Sequence, residues 1–336
     1  MKKDMNRVLI ETAVNKALKD IRESPERTIR NLIDLGLNFT NGRFQKNFFG
    51  TAQKMLRNEK SAYYTLCKDA ITSVDQRALT TFGINLGYNS CTRGAKIIRE
   101  IEAQRNINIP WSLTLIINHD KLKAEPDFYP SVMEQGRALG IHTYFLFVTG
   151  DPESVIPLLQ SQPECAFILF LRGNQITDSF IEQMKSEKNA MIAVYADADI
   201  QETCKTLRSA RLLYAVYLRY TEEDRKNIVT GQWLSDALSP RPLFAFLMAD
   251  VTCSAETQQE VYAYILSVRS GQKQPVLFMD MKRDVMMIDE IISDGVCMVG
   301  FDPDGSLRTH QGIRREPELN ILQNPLADIL QRAMKK

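Results

Sequence analysis

The chain has 336 residues, 44% of them hydrophobic, and 42 Lys and Arg stand against 41 Asp and Glu for a formal net charge of +1. That is enough apolar material for one large α/β barrel or two ordinary domains, and balanced charge without a long basic run leaves no electrostatic footprint for nucleic acid or an anionic membrane. No apolar run approaches the roughly 20 residues of a membrane span and no secretory h-region opens the chain, so a cytoplasmic protein is expected.

From Arg7 to about Asp75 apolar residues recur every three or four positions, as in Ile10, Val14, Ala17 and Ile21, then Ile29, Leu32, Ile33 and Leu37. This is a helical period. Ser24-Pro25-Glu26 supplies a capping serine and a proline at the first helical position. Residues 1–78 are therefore expected to form a helical N-terminal arm.

From Leu79 the texture changes to short β-rich runs separated by amphipathic stretches: "LTTFGINLGY", "WSLTLIIN", "HTYFLFVTG", "CAFILFLRG", "AMIAVYAD", "LLYAVYLRYT", "PLFAFLMAD" and "PVLFMDM". Continuous apolar strands joined by helices imply a parallel sheet with helices on its outer face. The expectation for residues 79–280 is an α/β fold, a TIM-like parallel βα barrel, full or partial, with eight strands. After the last of them the pattern breaks. Asp302-Pro303-Asp304-Gly305 is a turn in which proline presets φ and glycine takes the positive φ, so residues 281–336 are read as a β-hairpin extension and a C-terminal helix.

The C-terminal end of each barrel strand is where chemistry would sit. In order, these ends carry His119 and Asp120; Thr149, Gly150 and Asp151; Arg172 and Asn174; Asp197 and Asp199; Arg219 and Tyr220; Asp250; and Asp280. An aspartate after a strand is also a common helix N-cap, which competes with any catalytic reading of Asp151, Asp197, Asp199 and Asp250. Arg172 and Asn174 are less easily dismissed in this way. The six cysteines are each at least 24 positions apart and there are three histidines, so no C-x-x-C pair and no histidine-rich metal site is spelled out.

On these segments the chain resembles the radical SAM enzymes that carry a C-terminal SPASM-type extension, in particular a bacterial group with a helical N-terminal arm. The strand "NIPWSLTLII" resembles the entry to their barrel, where a C-x-x-x-C-x-x-C loop holds a [4Fe-4S] cluster; this chain reads "NHDKLKAEPDFYPSV" there. "QGRALGIHTYFLFVTGDP" is similar to the next unit, with Thr149, Gly150, Asp151 and Pro152 on the G-G-E-P motif that binds the amino group of S-adenosylmethionine. "QPECAFILFLRGNQITDSF" resembles the T-N-G-T-x-I-D strand, with Arg172, Gly173 and Asn174 on N-G-T. "MIAVYADAD", with Asp197, stands where a serine-valine-glutamate or aspartate-glycine segment is usual. "ISDGVCMVGFDPDGSLRTH" and "ELNILQNPLADIL" are similar to the SPASM segment, with Ile291 and His310 where two cysteines stand. A rival placement lays the cluster motif on "INLGYNSC", with Ile84, Tyr88 and Cys91 at the three cysteines.

Under either placement the resemblance implies a degenerate barrel with no [4Fe-4S] cluster and no metal, and weak or absent binding of S-adenosylmethionine, because one thiolate does not hold a cluster that needs three or four. The candidate pocket comprises Thr149, Gly150, Asp151, Arg172, Asn174 and Asp197. The expected role is a non-catalytic binding or regulatory protein with a peptide or protein partner, and neither nucleic acid nor membrane. The alternatives are a repurposed barrel enzyme using strand-end Asp and Arg side chains in acid–base chemistry, or a small-molecule sensor. The segment from Asn118 to Pro130 is expected to pack over the barrel mouth, with Leu122, Phe128 and Tyr129 as the apolar groups that plug it; a plugged mouth closes the site and counts against catalysis.

Overall fold

The computed structural model describes residues 5–20, 25–38, 42–293 and 295–336. Helices α1 (Met5–Asp20), α2 (Pro25–Asn38), α3 (Arg43–Met55), α4 (Ala62–Ser73) and α5 (Gln76–Ile84) come first, followed by a π-helical segment (Asn85–Gly94) and α6 (Ala95–Arg105). The expected serine cap at Ser24 lies outside the described residues.

Seven parallel strands follow: β1 (Ser112–Ile116), β2 (Thr143–Phe147), β3 (Ala166–Leu171), β4 (Ala190–Tyr195), β5 (Tyr214–Tyr220), β6 (Phe244–Ala249) and β7 (Leu277–Asp280). Between them run α7 (His119–Ala124) and α8 (Phe128–Ala138), α9 (Ile156–Ser161), α10 (Asp178–Met184), α11 (Ile200–Ser209), α12 (Arg225–Val229) and α13 (Gln232–Leu238), and α14 (Ala255–Gly271). The chain ends with α15 (Arg283–Ile292), β8 (Val299–Phe301), β9 (Leu307–Thr309), β10 (Gly312–Arg314) and α16 (Leu326–Ala333).

The ten strands of the described residues form one sheet in the order β10-β9-β8-β1-β2-β3-β4-β5-β6-β7. Strand β8 runs parallel to β1, pairing Leu113 with Val299, so the expected hairpin is part of the main sheet. The ring of Phe170 on β3 comes within 6.1 Å of Phe246 on β6. In a flat sheet, strands three apart are roughly 14 Å apart, so the sheet must curl with this face inside. The result is a partial barrel, open between β7 and β10, with no helix among the described residues long and apolar enough to cross a membrane. On the convex face Tyr144 stacks on Phe167 and its hydroxyl donates to the Met133 carbonyl of α8 at 3.1 Å.

One strand expectation is overturned. "LTTFGINLGY" is helical, lying in α5 and the π-helical segment. Asp75 caps α5 by accepting the Ala78 N–H at 2.9 Å, and Ala78, Thr80, Phe82 and Ile84 are all buried. A helix packed on several sides has no clean amphipathic period, and its threonines and phenylalanine then read as a strand.

The π-helical segment instead builds a floor under the N-terminal ends of the strands. The Asn85 amide donates to the carbonyls of Pro163 and Cys165 at 2.9 and 2.8 Å, and the Asn89 amide to Glu164 O at 2.9 Å. Thr143 donates to Ser90 Oγ at 3.0 Å. On the far side of the floor the buried Glu102 accepts the Ile109 N–H at 2.8 Å, and Asp289 of α15 accepts the Trp111 N–H at 3.0 Å. Burial, with Glu102 nearby, pushes the Asp289 carboxyl well up. These carboxylates pair backbone groups at the entry to β1 that would otherwise be buried without partners.

Candidate functional site

The rim formed by the C-terminal ends of the strands holds the sequence-selected residues in two groups. The first surrounds the end of β2. The Gly150 N–H donates to His119 Nε2 at 2.9 Å, and the imidazole lies so close that a Cβ on Gly150 would be 2.7 Å from it. Ser154 Oγ donates to the Asp151 carbonyl at 2.6 Å and lies 3.2 Å from His119 Nδ1. Because Nε2 accepts, the neutral ring carries its proton on Nδ1 and donates to Ser154, an assignment drawn from the bonding pattern.

Gln175 crosses from the end of β3 and ties the same turn down. Its Nε2 donates to Val148 O at 2.8 Å and Gly150 O at 2.7 Å, while its Oε1 accepts the Arg172 N–H at 2.7 Å. Thr149 and Asp151 are exposed. The Asp151 carboxylate accepts the Glu153 N–H at 3.0 Å and caps the short turn that follows.

The second group lies at the ends of β3 and β4. Leu171 pairs with Val194, which puts Arg172 beside Tyr195, and the guanidinium lies 5.2 Å from the Tyr195 ring centroid. Tyr195 in turn packs edge-on to Tyr217 at 5.3 Å. Burial pushes the Tyr217 hydroxyl up to about 12, with Arg172 acting in the opposite direction. Arg172, Asn174 and Asp197 are all exposed, and Asp197 accepts the Asp199 N–H at 3.3 Å. Further round, Arg219 pairs with Asp250 at 2.9 Å, and the buried Asp280, its carboxyl raised chiefly by burial, accepts the Lys282 and Arg283 N–H groups.

The segment after β1, read as a loop, is helical instead, because Asn118 caps α7 by accepting the Lys121 N–H at 2.9 Å. Leu122 and Tyr129 are buried and Phe128 is half-buried. Tyr129 accepts the Asn118 N–H at 2.8 Å, and the Asn118 amide donates to Pro303 O of the β8–β9 turn at 2.7 Å. The segment is thus folded down over the ends of β1 and β2, and Arg172 stays exposed beyond it.

The residues present do not fit an iron–sulfur cluster. The segment after β1 has no cysteine. The rival motif falls with the strand that supported it, since Ile84 and Cys91 are buried in the helical floor at the opposite end of the strands. Burial pushes the thiols of Cys91, Cys165 and Cys204 up to about 12 and that of Cys67 to about 11, the reverse of the thiolate that metal ligation needs. Among the described residues no three His, Cys, Asp or Glu side chains are grouped to hold a metal ion.

Sequence reasoning missed Gln175, Tyr195 and the contact of His119 with Gly150. For Gln175 a signal existed. It stands three residues after the strand-end Arg172, the spacing at which a Gln side chain returns to the backbone N–H of a capping position.

No protein-family model matches the chain, and no curated protein matches it. Among solved structures the chain is similar to SuiB from Streptococcus suis bound to S-adenosylmethionine, with 10% identity over 70% of this chain and 66% of that one and a TM-score of 0.50. The structure of SuiB bound to the precursor peptide SuiA gives 10% identity over 70% and 67%, with a TM-score of 0.51. The chain spans about two thirds of SuiB's length. At that identity the likeness speaks to architecture alone: a curled, mostly parallel sheet with surrounding helices, a TIM-like partial barrel.

Proposed function

We propose that this chain is a non-catalytic binding or regulatory protein of the cytoplasm, built on a radical-SAM-like half-barrel whose cosubstrate site is closed from within. The observation that carries this reading is the Gln175 amide. It donates to the carbonyls of Val148 and Gly150, at the turn that resembles the motif for the amino group of S-adenosylmethionine. His119 takes the N–H of the same glycine. Those backbone groups already have partners, so a ligand there competes with bonds that the protein makes with itself. A peptide is the favoured partner, in keeping with SuiB having been seen with its precursor peptide.

Acid–base catalysis by the rim carboxylates has less support. Asp151 and Asp197 accept backbone N–H groups of their own turns, and Asp250 is paired with Arg219.

Calorimetry with S-adenosylmethionine tests the reading. No heat of binding is expected, and micromolar affinity would overturn it. In parallel, anaerobic reconstitution followed by iron and sulfide analysis should leave the protein without a stoichiometric cluster, and near-stoichiometric four-iron incorporation would refute the argument from the missing thiolates.

A further inference from the structure

The aromatic side chains of the concave face differ in how far they are covered. Phe145, Phe170 and Phe246 are buried, whereas Phe147, Tyr195 and Met248 are only half-buried. Phe147 lies flat on Phe170, with centroids 4.4 Å apart and planes 8° apart. Phe147 and Tyr195 therefore keep part of their rings accessible near a strand-end cation.

Arg172 is that cation. It is exposed and stacks on Tyr195, and among the described residues it makes no ion pair with a carboxylate. Asp197 nearby accepts the Asp199 N–H. The backbone beneath Arg172 is held by Gln175, so the guanidinium is presented from a fixed base. A planar guanidinium favours bidentate pairing with a carboxylate, and the same plane stacks on aromatic rings.

We propose that the rim at Arg172, Tyr195 and Phe147 binds a carboxylate carried next to an aromatic group. This deepens the reading above, on which it rests, by naming the chemistry of the ligand. The source is either the free C-terminus of a peptide ending in an aromatic residue or a small aromatic acid. Both place an anion on Arg172 and a ring against Phe147 and Tyr195.

The test uses the full chain, with N-acetylphenylalanine and acetyl-Ala-Ala-Phe as probes, each compared with its C-terminal amide by calorimetry or saturation-transfer NMR. The free acids are expected to bind about tenfold or more tighter than the amides, as loss of a charge-assisted hydrogen bond implies. Arg172→Gln should erase that preference. A tighter tripeptide assigns the site to a peptide terminus, and equal affinities assign it to a small acid. Equal binding of acid and amide to the unaltered protein overturns the inference without need of any variant, as does undiminished acid binding by a folded Arg172→Gln protein. Binding of S-adenosylmethionine would refute the functional reading separately, so the two failures are distinguishable.

Discussion

Replacing Gln175 by alanine removes three hydrogen bonds at once, from the Arg172 N–H and to the carbonyls of Val148 and Gly150, at 2.7, 2.8 and 2.7 Å. Each nets about 0.5 to 1.5 kcal/mol, but they do not weigh equally. Gly150 is half-buried and Arg172 exposed, so water replaces part of those two bonds, whereas Val148 is 3% exposed and its carbonyl is left short of a partner. A net loss of roughly 2 kcal/mol is therefore expected. It should be read by urea unfolding as a lower midpoint with an unchanged m-value, because the surface exposed on unfolding hardly alters. Gln175→Glu keeps the volume but turns a donor into a second acceptor facing two carbonyls, and should cost more than the alanine. If Gln175→Ala stays within about 0.5 kcal/mol of the parent, below the worth of one such bond, the clasp does not hold the rim and the closed-site argument loses its basis.

Two glycines at close contacts should differ in their tolerance of a methyl group. On Gly150 the new Cβ meets the His119 ring at 2.7 Å, a side chain able to turn away, whereas on Gly94 it meets the backbone oxygen of Gly140 at 2.2 Å. Gly150→Ala should cost about 1 to 2 kcal/mol and Gly94→Ala about 3 or more, and the reverse order in urea would refute the packing of the π-helical floor on the entry to β2. His142 gives a pH signature: burial lowers its imidazole to about 4, below the roughly 6.5 of an unfolded chain. Its contribution is complete above that higher value and is lost as pH falls from about 6.5 through about 4, in total about 3 kcal/mol. In a series of urea titrations His142→Gln should flatten this limb by about one proton, and an unchanged slope would show that the buried imidazole is not its source.

The strands were legible in the sequence because a sheet covered on its convex face and curled over a packed concave base needs apolar residues on both sides. Runs such as Ala166–Leu171, all buried, therefore have no competing polar face. The first of the eight expected strands, "LTTFGINLGY", was not legible as a helix for the matching reason: Phe82, Ile84 and Asn85 are buried on several sides, and a buried helix loses its periodicity. The turn at Asp302 was readable from its residues, with Gly305 at φ +83° and the Gly305 N–H donating to Asp302 O at 2.9 Å. The parallel pairing of β8 with β1 was not readable, because three-residue strands carry too little pattern to fix a partner far away in sequence.

The candidate site was legible as positions and not as partners. Strand ends can be located from apolar runs, which is how Thr149, Arg172 and Asp197 were found. Which of their neighbours are already bonded depends on how the sheet curls, and no local pattern encodes that. Gln175, an ordinary polar residue after a strand, is what distinguishes a closed turn from an open one. The core also lies apart from these groups: Leu113, Leu115, Phe167 and Leu169 are at most 1% exposed, and each contributes about 1.5 to 3 kcal/mol through burial whatever the rim carries. Replacing an exposed rim side chain that makes no hydrogen bond to the sheet, such as Arg172, should therefore cost the fold little. That separation is why an exposed residue such as Arg172 can be replaced to question the ligand while the sheet beneath it stays in place.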